Sequence, residues 1–331
     1  MSKPTLFQTL PDQWIVASFS RDLRRTPHAV HVADEALVLF RDRDGRAHAL
    51  LDRCPHRGVA LSRGSVTKDG CLQCPFHGWE FSGDGSCERV PLNPDARREL
   101  LSATAVPTFE RGGLVWVYTS VDAEEPGEPL LPEMLTEDGL VTRYLGATWD
   151  CHWTRAMENM LDAPHLPFVH KRTIGRGMPT RAGDRELAMT FDIERRPSGM
   201  RVRWKIDGAR LEEGAWLEWW RPTGMVLNIP TPFGRNRIHV FCVPGRKGQT
   251  RMMLATTSEL PWYLKLLPRR PMDWVNMLIL GEDRHVVESA GPEEVPPPGV
   301  ERSVATDRPT LIFRRWYWEQ RRAREAETKA A

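Results

Sequence analysis

The chain has 331 residues. At roughly 150 residues per domain that implies about two domains and excludes a single small module. Its charges nearly cancel, 46 Lys and Arg against 44 Asp and Glu, which argues against a phosphate-neutralising nucleic-acid binder or a strongly basic membrane-surface protein. No run approaches the ~18 apolar residues of a membrane span. Met1 to Phe7 hold one Lys and no apolar core, so no secretory leader and a cytoplasmic location are expected. In that compartment thiols stay reduced, and clustered cysteines read as metal ligands or catalysts.

The first third reads as short strands. Gln13–Ala17 and Ala36–Phe40 are apolar runs, Arg43–Arg46 reads as a hairpin turn, and Ser82–Gly85 and Arg111–Gly113 are further turns. Leu114–Tyr118 closes a small all-β domain over residues 1–120.

Within it, Cys54-Pro55-His56-Arg57-Gly58 is followed, after the 17 residues from 57 to 73, by Cys74-Pro75-Phe76-His77-Gly78-Trp79. Each half offers one thiolate and one imidazole on a short loop. Such loops can clamp a two-iron cluster, with two Cys on one iron and two His on the other. A Cys₂His₂ zinc finger instead pairs Cys with Cys and His with His. Of the other cysteines, Cys71, Cys87, Cys151 and Cys242 read as small buried residues.

The motif resembles that of Rieske domains, in the form found in Rieske oxygenases. Val59 and Phe76 stand where respiratory Rieske proteins carry a disulfide pair. The resemblance implies a 2Fe-2S cluster on Cys54, His56, Cys74 and His77.

Residues 121–132 are acidic and Pro-rich and read as a linker. The remainder, 133–331, reads as an antiparallel sheet flanked by helices, so that the whole chain is α+β. Trp149 to about Leu161 reads as helical. Leu187–Phe191, Met200–Ile206, Trp216–Trp220, Arg237–Val243 and Thr250–Thr257 read as strands. Trp262–Ala290 reads as a helix interrupted by Pro268 and Pro271, Gly291–Gly299 as a loop, and the chain after Trp316 as a charged helical tail. Ten of thirteen tryptophans lie from Trp149 onward, which predicts a bulky aromatic interior. Trp153, Met157, Met160, Trp219 and Trp220 are candidates to line an apolar pocket.

Asn159 to His170 is the second informative stretch. His165 and His170 would stand roughly 140° apart on a regular helix, so they converge only if the helix breaks between them. Pro164 and Pro167 supply the expected break. Two imidazoles and a carboxylate form the facial triad of non-haem Fe(II) oxygenases. The later carboxylates available are Asp273, Glu282, Asp283 and Glu288.

Asp150 to His170 resembles the iron-binding helix of Rieske oxygenases, with the Asp-x-x-His-x-x-x-x-His spacing of Asp162, His165 and His170. His152 stands where many relatives have Asn. Gly281 to Glu288 resembles the corresponding stretch of vanillate demethylase-like, dicamba monooxygenase-like and pheophorbide oxygenase-like members. That resemblance implies Asp283 as third ligand, with Glu282 the alternative. It implies a START/Bet v1-like catalytic domain and a homotrimer in which Asp162, braced by Asn159, bridges to His77 of the partner subunit. It also implies O₂-dependent hydroxylation or demethylation of a small organic molecule, with electrons from NAD(P)H through a separate reductase, with or without a ferredoxin. No Gly-rich dinucleotide fingerprint occurs in the chain itself. Arg57, Arg63 and Lys68 are candidate docking residues. Ring cis-dihydroxylation, or electron transfer without oxygenase chemistry, are the alternative activities.

Overall fold

The computed structural model describes residues 6–121, 126–207, 215–229, 231–232, 234–263, 265, 270–290 and 293–330. The expected linker falls partly on 122–125, outside the described residues. The chain divides into two units, Met1–Leu131 with Val243–Lys247, and Pro132–Cys242 with Gly248–Ala331.

The first unit holds three small sheets. Strands β1 (Trp14–Phe19), β11 (Leu114–Tyr118) and β10 (Thr108–Arg111) form one. Strands β2 (His28–Val32), β3 (Glu35–Arg41), β4 (Ala47–Leu51) and β9 (Ala105–Val106) form the second. Leu37 to Phe40 in β3 are all buried, and so read in sequence as a continuous apolar run. The β3–β4 turn closes because Asp42 Oδ1 accepts from the amides of Asp44 and Arg46, an Asx turn. Strands β5 (Ser65–Val66), β6 (Leu72–Gln73), β7 (Glu80–Phe81) and β8 (Cys87–Arg89) make the third sheet. The loop Cys54–Val59 follows β4, and Cys74–Trp79 joins β6 to β7. Leu50, Leu61, Leu72, Phe81 and Cys87 pack beneath both loops.

The second unit is built on a seven-stranded antiparallel sheet. Its strands are β12 (Val141–Trp149), β15 (Met189–Arg196), β16 (Gly199–Ile206), β17 (Trp216–Trp220), β18 (Gly224–Asn228), β19 (Asn236–Pro244) and β20 (Thr250–Ser258), in the order β12-β20-β19-β18-β17-β16-β15. A two-strand hairpin, β13 (Arg181–Ala182) and β14 (Arg185–Glu186), stands apart. The helices are α1 (Trp153–Leu161), α2 (Leu166–Val169), α3 (Arg270–Val287) and α4 (Arg308–Ala330). Register pairs Leu217 with Leu227, Leu227 with Ile238, and Met225 with Val240. These residues share one face with α1, α2 and α3 over it. The opposite face carries Trp216 and Glu218, where Arg201 lies 4.0 Å over the Trp216 ring and 2.7 Å from Glu218.

Several expectations need correction. Trp149 ends β12 and helix α1 starts only at Trp153. As an edge strand, β12 is mostly half-exposed, so it lacks the alternation that marks a strand. Strand β18 was not expected either. The late helix runs Arg270–Val287 rather than from Trp262. Pro271 falls in its first turn, where a proline has no hydrogen bond to lose. The final helix begins at Arg308, before Trp316. No helix among the described residues is long and apolar enough to cross a membrane.

Candidate metal centres

The two Cys-His loops fold alike. The Cys54 amide donates to the Val59 carbonyl and the Gly58 amide to the Cys54 carbonyl, each at 2.8 Å. The Cys74 amide donates to Trp79 at 2.8 Å and the Gly78 amide to Cys74 at 3.1 Å. Both loops turn through a glycine at positive φ, +70° at Gly58 and +68° at Gly78, a conformation that disfavours other residues. Cys54 and Cys74 are buried, 3% exposed each, while His56 and His77 are exposed. The imidazoles lie 4.7 Å apart, and Trp79 stacks on His56 at 4.6 Å. Burial, together with neighbouring Cys74, pushes the Cys54 thiol up to about 11.

This donor set fits a two-iron cluster better than one ion. Among the described residues, no three of these four side chains offer donor atoms converging within 4.8 Å, as a tetrahedral zinc site requires. Arg57, Arg63 and Lys68 are exposed around the loops.

In the second unit, α1 stops at Asp162, whose backbone is extended, and Pro164 keeps the chain from resuming the helix at once. The break therefore precedes His165 rather than separating the two histidines. His165 and His170 flank the single turn α2 as its cap residues, with Pro167 inside its first turn. The rings converge because this turn is so short, with centroids 5.2 Å apart. Behind them, Thr173 and Gly175 donate backbone N–H groups to the His170 carbonyl. A Cβ on Gly175 would collide with the Leu166 carbonyl oxygen, so this return needs glycine.

Helix α3 brings in Asp283. Donor atoms of His165, His170 and Asp283 lie within 4.8 Å of one another. Asp283 Oδ1 lies 3.0 Å from His170 Nε2 and 3.5 Å from His165 Nε2, yet it is buried with no aligned hydrogen-bond partner. The far nitrogens are already engaged: His165 Nδ1 with Asp162 Oδ2 at 3.0 Å, and His170 Nδ1 with Glu282 Oε2 at 2.9 Å. An orphaned buried carboxylate oxygen between two oriented imidazoles fits a divalent cation. Burial works to lower the pKa of His165, but Asp162 and Asp283 raise it to about 9. Burial likewise works to raise that of Asp283, but the two imidazoles hold it at about 2.

The remaining candidates have other partners. Glu282 also accepts from Thr173 Oγ1 at 2.6 Å and so braces His170 from behind. Asp273 pairs with Arg143 at 2.6 Å. Glu288 accepts from the Asp150 amide and from Arg284. His152 caps α1, its ring accepting from the Thr154 amide.

A cavity of about 100 Å³ opens onto the His-His-Asp cluster. Asn159 and Met160 of α1, Leu217, Met225 and Val240 of the sheet, and Asn276, Ile279 and Leu280 of α3 line it. Of the five expected pocket residues only Met160 does so. Trp153 and Trp219 instead build a cluster with α4: Trp153 lies 5.9 Å from Phe313 and 5.5 Å from Tyr317, and Trp219 lies 5.1 Å from Trp316. Met157 is fully buried, and Trp220 does not line the cavity. Sequence reading missed Thr173, Gly175 and Asn276. Gly175 alone left a local signal, as a glycine shortly after the histidine pair.

Paired Cys-His loops in a β domain, followed by a His-His-carboxylate cluster in a sheet-and-helix domain, give the chain two sets of metal-ligating side chains. Residues 13–110 match the Rieske [2Fe-2S] domain family, and residues 149–323 match the vanillate O-demethylase oxygenase C-terminal domain. The chain belongs to the Rieske non-haem iron oxygenases that carry this C-terminal domain. It is 30% identical over 285 residues to chlorophyllide a oxygenase of Chlamydomonas reinhardtii, covering 82% of this chain and 42% of that one. It is 30% identical over 231 residues to the dicamba O-demethylase oxygenase component of Stenotrophomonas maltophilia, covering 65% of this chain and 66% of that one. Dicamba monooxygenase bound to 3,6-dichlorosalicylic acid shares its fold, with a TM-score of 0.78 at 22% identity, covering 97% of this chain and 99% of that one. The chain spans about half the length of the first curated relatives it matches.

Proposed function

We propose that the chain is a terminal oxygenase component that hydroxylates or demethylates a small organic substrate with O₂. Convergence of His165, His170 and Asp283 on one wall of an apolar cavity, in a chain that also carries the paired Cys-His loops, supports this reading most strongly. The names of the two curated relatives, an oxygenase and a demethylase, describe the same reaction class.

In this reading Cys54, His56, Cys74 and His77 hold the 2Fe-2S cluster. His165, His170 and Asp283 hold mononuclear Fe(II), Glu282 being a brace rather than a ligand. When bound, the two centres supply one-electron delivery and O₂ activation. The protein supplies position and exclusion of water. Asp162 fixes the ring of His165, and Glu282 that of His170, each holding one nitrogen so that the other faces the metal position. Aliphatic walls keep bulk water from the reacting end of the cavity.

Electrons come from NAD(P)H through a separate reductase, with or without a ferredoxin, docking near Arg57, Arg63 and Lys68. The chain works as a head-to-tail homotrimer, a closed heterologous ring. Asp162 uses Oδ2 for both the amide and the ring of His165. Its Oδ1 is left for His77 of the partner subunit. None of the six cysteines is in a disulfide, which suits a reducing compartment such as the cytoplasm.

The test is metal content and product. Purified protein is expected to hold about three irons per chain, two in the cluster and one outside it. His165→Ala is expected to lose one iron and keep the Rieske spectrum. Zinc in place of iron refutes the reading, and an unchanged iron count in His165→Ala favours a plain electron carrier. Incubation with reductase, candidate substrates and ¹⁸O₂ separates one-atom incorporation from cis-dihydroxylation. Asp162→Asn is expected to retain both centres but slow single-turnover electron delivery; unchanged kinetics remove Asp162 from the electron path.

A further inference from the structure

We propose that Asn276 orients a neutral, largely apolar substrate by donating a hydrogen bond to an acceptor atom on it, two helical turns from the His165–His170–Asp283 cluster. The inference rests on the oxygenase reading and names the chemistry of its substrate. Asn276 lines the cavity from α3. It is 8% exposed, and its Nδ2 is buried without a hydrogen-bond partner. Buried polar groups are nearly always paired. An unpaired donor beside Ile279 and Leu280 on the cavity wall therefore marks a contact that the ligand completes.

Position gives the orientation. Asn276 precedes Asp283 by seven residues on one helix face, about 10 Å along the axis. Ile279 and Leu280, between them, are apolar and also line the cavity. A molecule bonded to Asn276 thus extends its hydrocarbon part toward Asp283, where the C–H bond to be oxidised must lie. Asn159 has a second unpaired carboxamide nitrogen, but it stands beside Asp162 at the reacting end.

Charge narrows the class. No Lys or Arg lines the cavity among the described residues, whereas Asp162 and Asp283 both do. These carboxylates offset a divalent ion at the cluster and leave no countercharge for an anion. A carboxylate substrate would lose its hydration uncompensated. Neutral acceptors remain: ketones, esters, amides and ethers on an aryl or alkyl body.

The experiment is calorimetric titration of the holoenzyme with three ligands of matched shape: acetophenone, α-methylstyrene and benzoate. Iron and cluster content are measured on every sample. Acetophenone is expected to bind at least about tenfold tighter than either of the others. In Asn276→Leu, ketone and alkene are expected to bind alike; Asn276→Asp, which lacks the donor, serves if the Leu variant does not fold. Equal affinities in the wild type, a preference for benzoate, no binding of any ligand, or a ketone preference that survives both variants overturns the proposal. Absence of the mononuclear iron overturns the oxygenase reading instead, and a ketone preference lost in the variants still upholds the donor role of Asn276.

Discussion

Glu282 and Asp283 are neighbours in sequence with different tasks, because successive helix side chains point about 100° apart. Asp283 is 4% exposed and faces both imidazoles, whereas Glu282 reaches only the outer nitrogen of His170 and the Thr173 hydroxyl. Glu282→Gln is therefore expected to keep the mononuclear iron on purification and to lose it to a chelator about ten times faster, in line with the usual effect of a brace behind a ligand. Time-resolved iron release with a colorimetric chelator measures this, and wild-type kinetics would show that the carboxylate does not hold His170. As candidates, Cys54, His56, Cys74, His77, His165 and His170 were legible because their spacing is local. The choice between Glu282 and Asp283 was not, since both are acidic residues on one helix and only the fold decides which points inward. Asn276 was less legible still: nothing in sequence separates a buried, unpaired asparagine from a solvated one.

At the scale of elements, the stop at Asp162 and the single turn between the histidines convert a five-residue spacing into convergent rings. Helix α1 is held from behind by α4. Arg314 pairs with Glu158 and Glu301, Arg155 pairs with Glu301, and the Trp153 ring packs edge-on to Phe313 and Tyr317. Trp153→Ala is expected to destabilise the protein by about 3–5 kcal/mol, the usual loss for a large buried aromatic. Denaturant unfolding followed by Trp fluorescence would report it, and a change under about 1 kcal/mol would mean that α4 does not support α1. The abundance of tryptophan in this half was legible, but its placement was not. Composition cannot tell a pocket wall from a packing cluster, and these rings went to the cluster. Strand β12 escaped notice for a related reason, since an edge strand half-open to solvent keeps no clean apolar period.

On the scale of the whole chain, the His-His-Asp site is assembled from two distant segments; the bond between His170 and Glu282 spans 112 residues. A metal ion there would act as a cross-link closing a long loop, which gains more stability than a local one. Removing mononuclear iron from the holoenzyme is expected to raise amide exchange in residues 162–175 and in the second half of α3, leaving the central strands β17–β19 unchanged. Exchange mass spectrometry distinguishes this local loosening from general destabilisation, in which all strands would speed up together. The all-β first part and the α+β second part were readable from turn signals and motifs. The sheet order was not, because pairing β12 with β20 joins residues about a hundred positions apart.

That sheet has a place in the chain that bears on descent. All its strands but β12 fall between the segment bearing the two histidines and the helix bearing the carboxylate. Leu217, Met225, Leu227, Ile238 and Val240, which shape the cavity, therefore lie on an insert whose ends are fixed by the His-His-Asp cluster. Substitutions within the insert recast the cavity wall while the donor atoms keep their spacing. A lineage built on this plan can exchange one substrate for another while inheriting its chemistry unchanged.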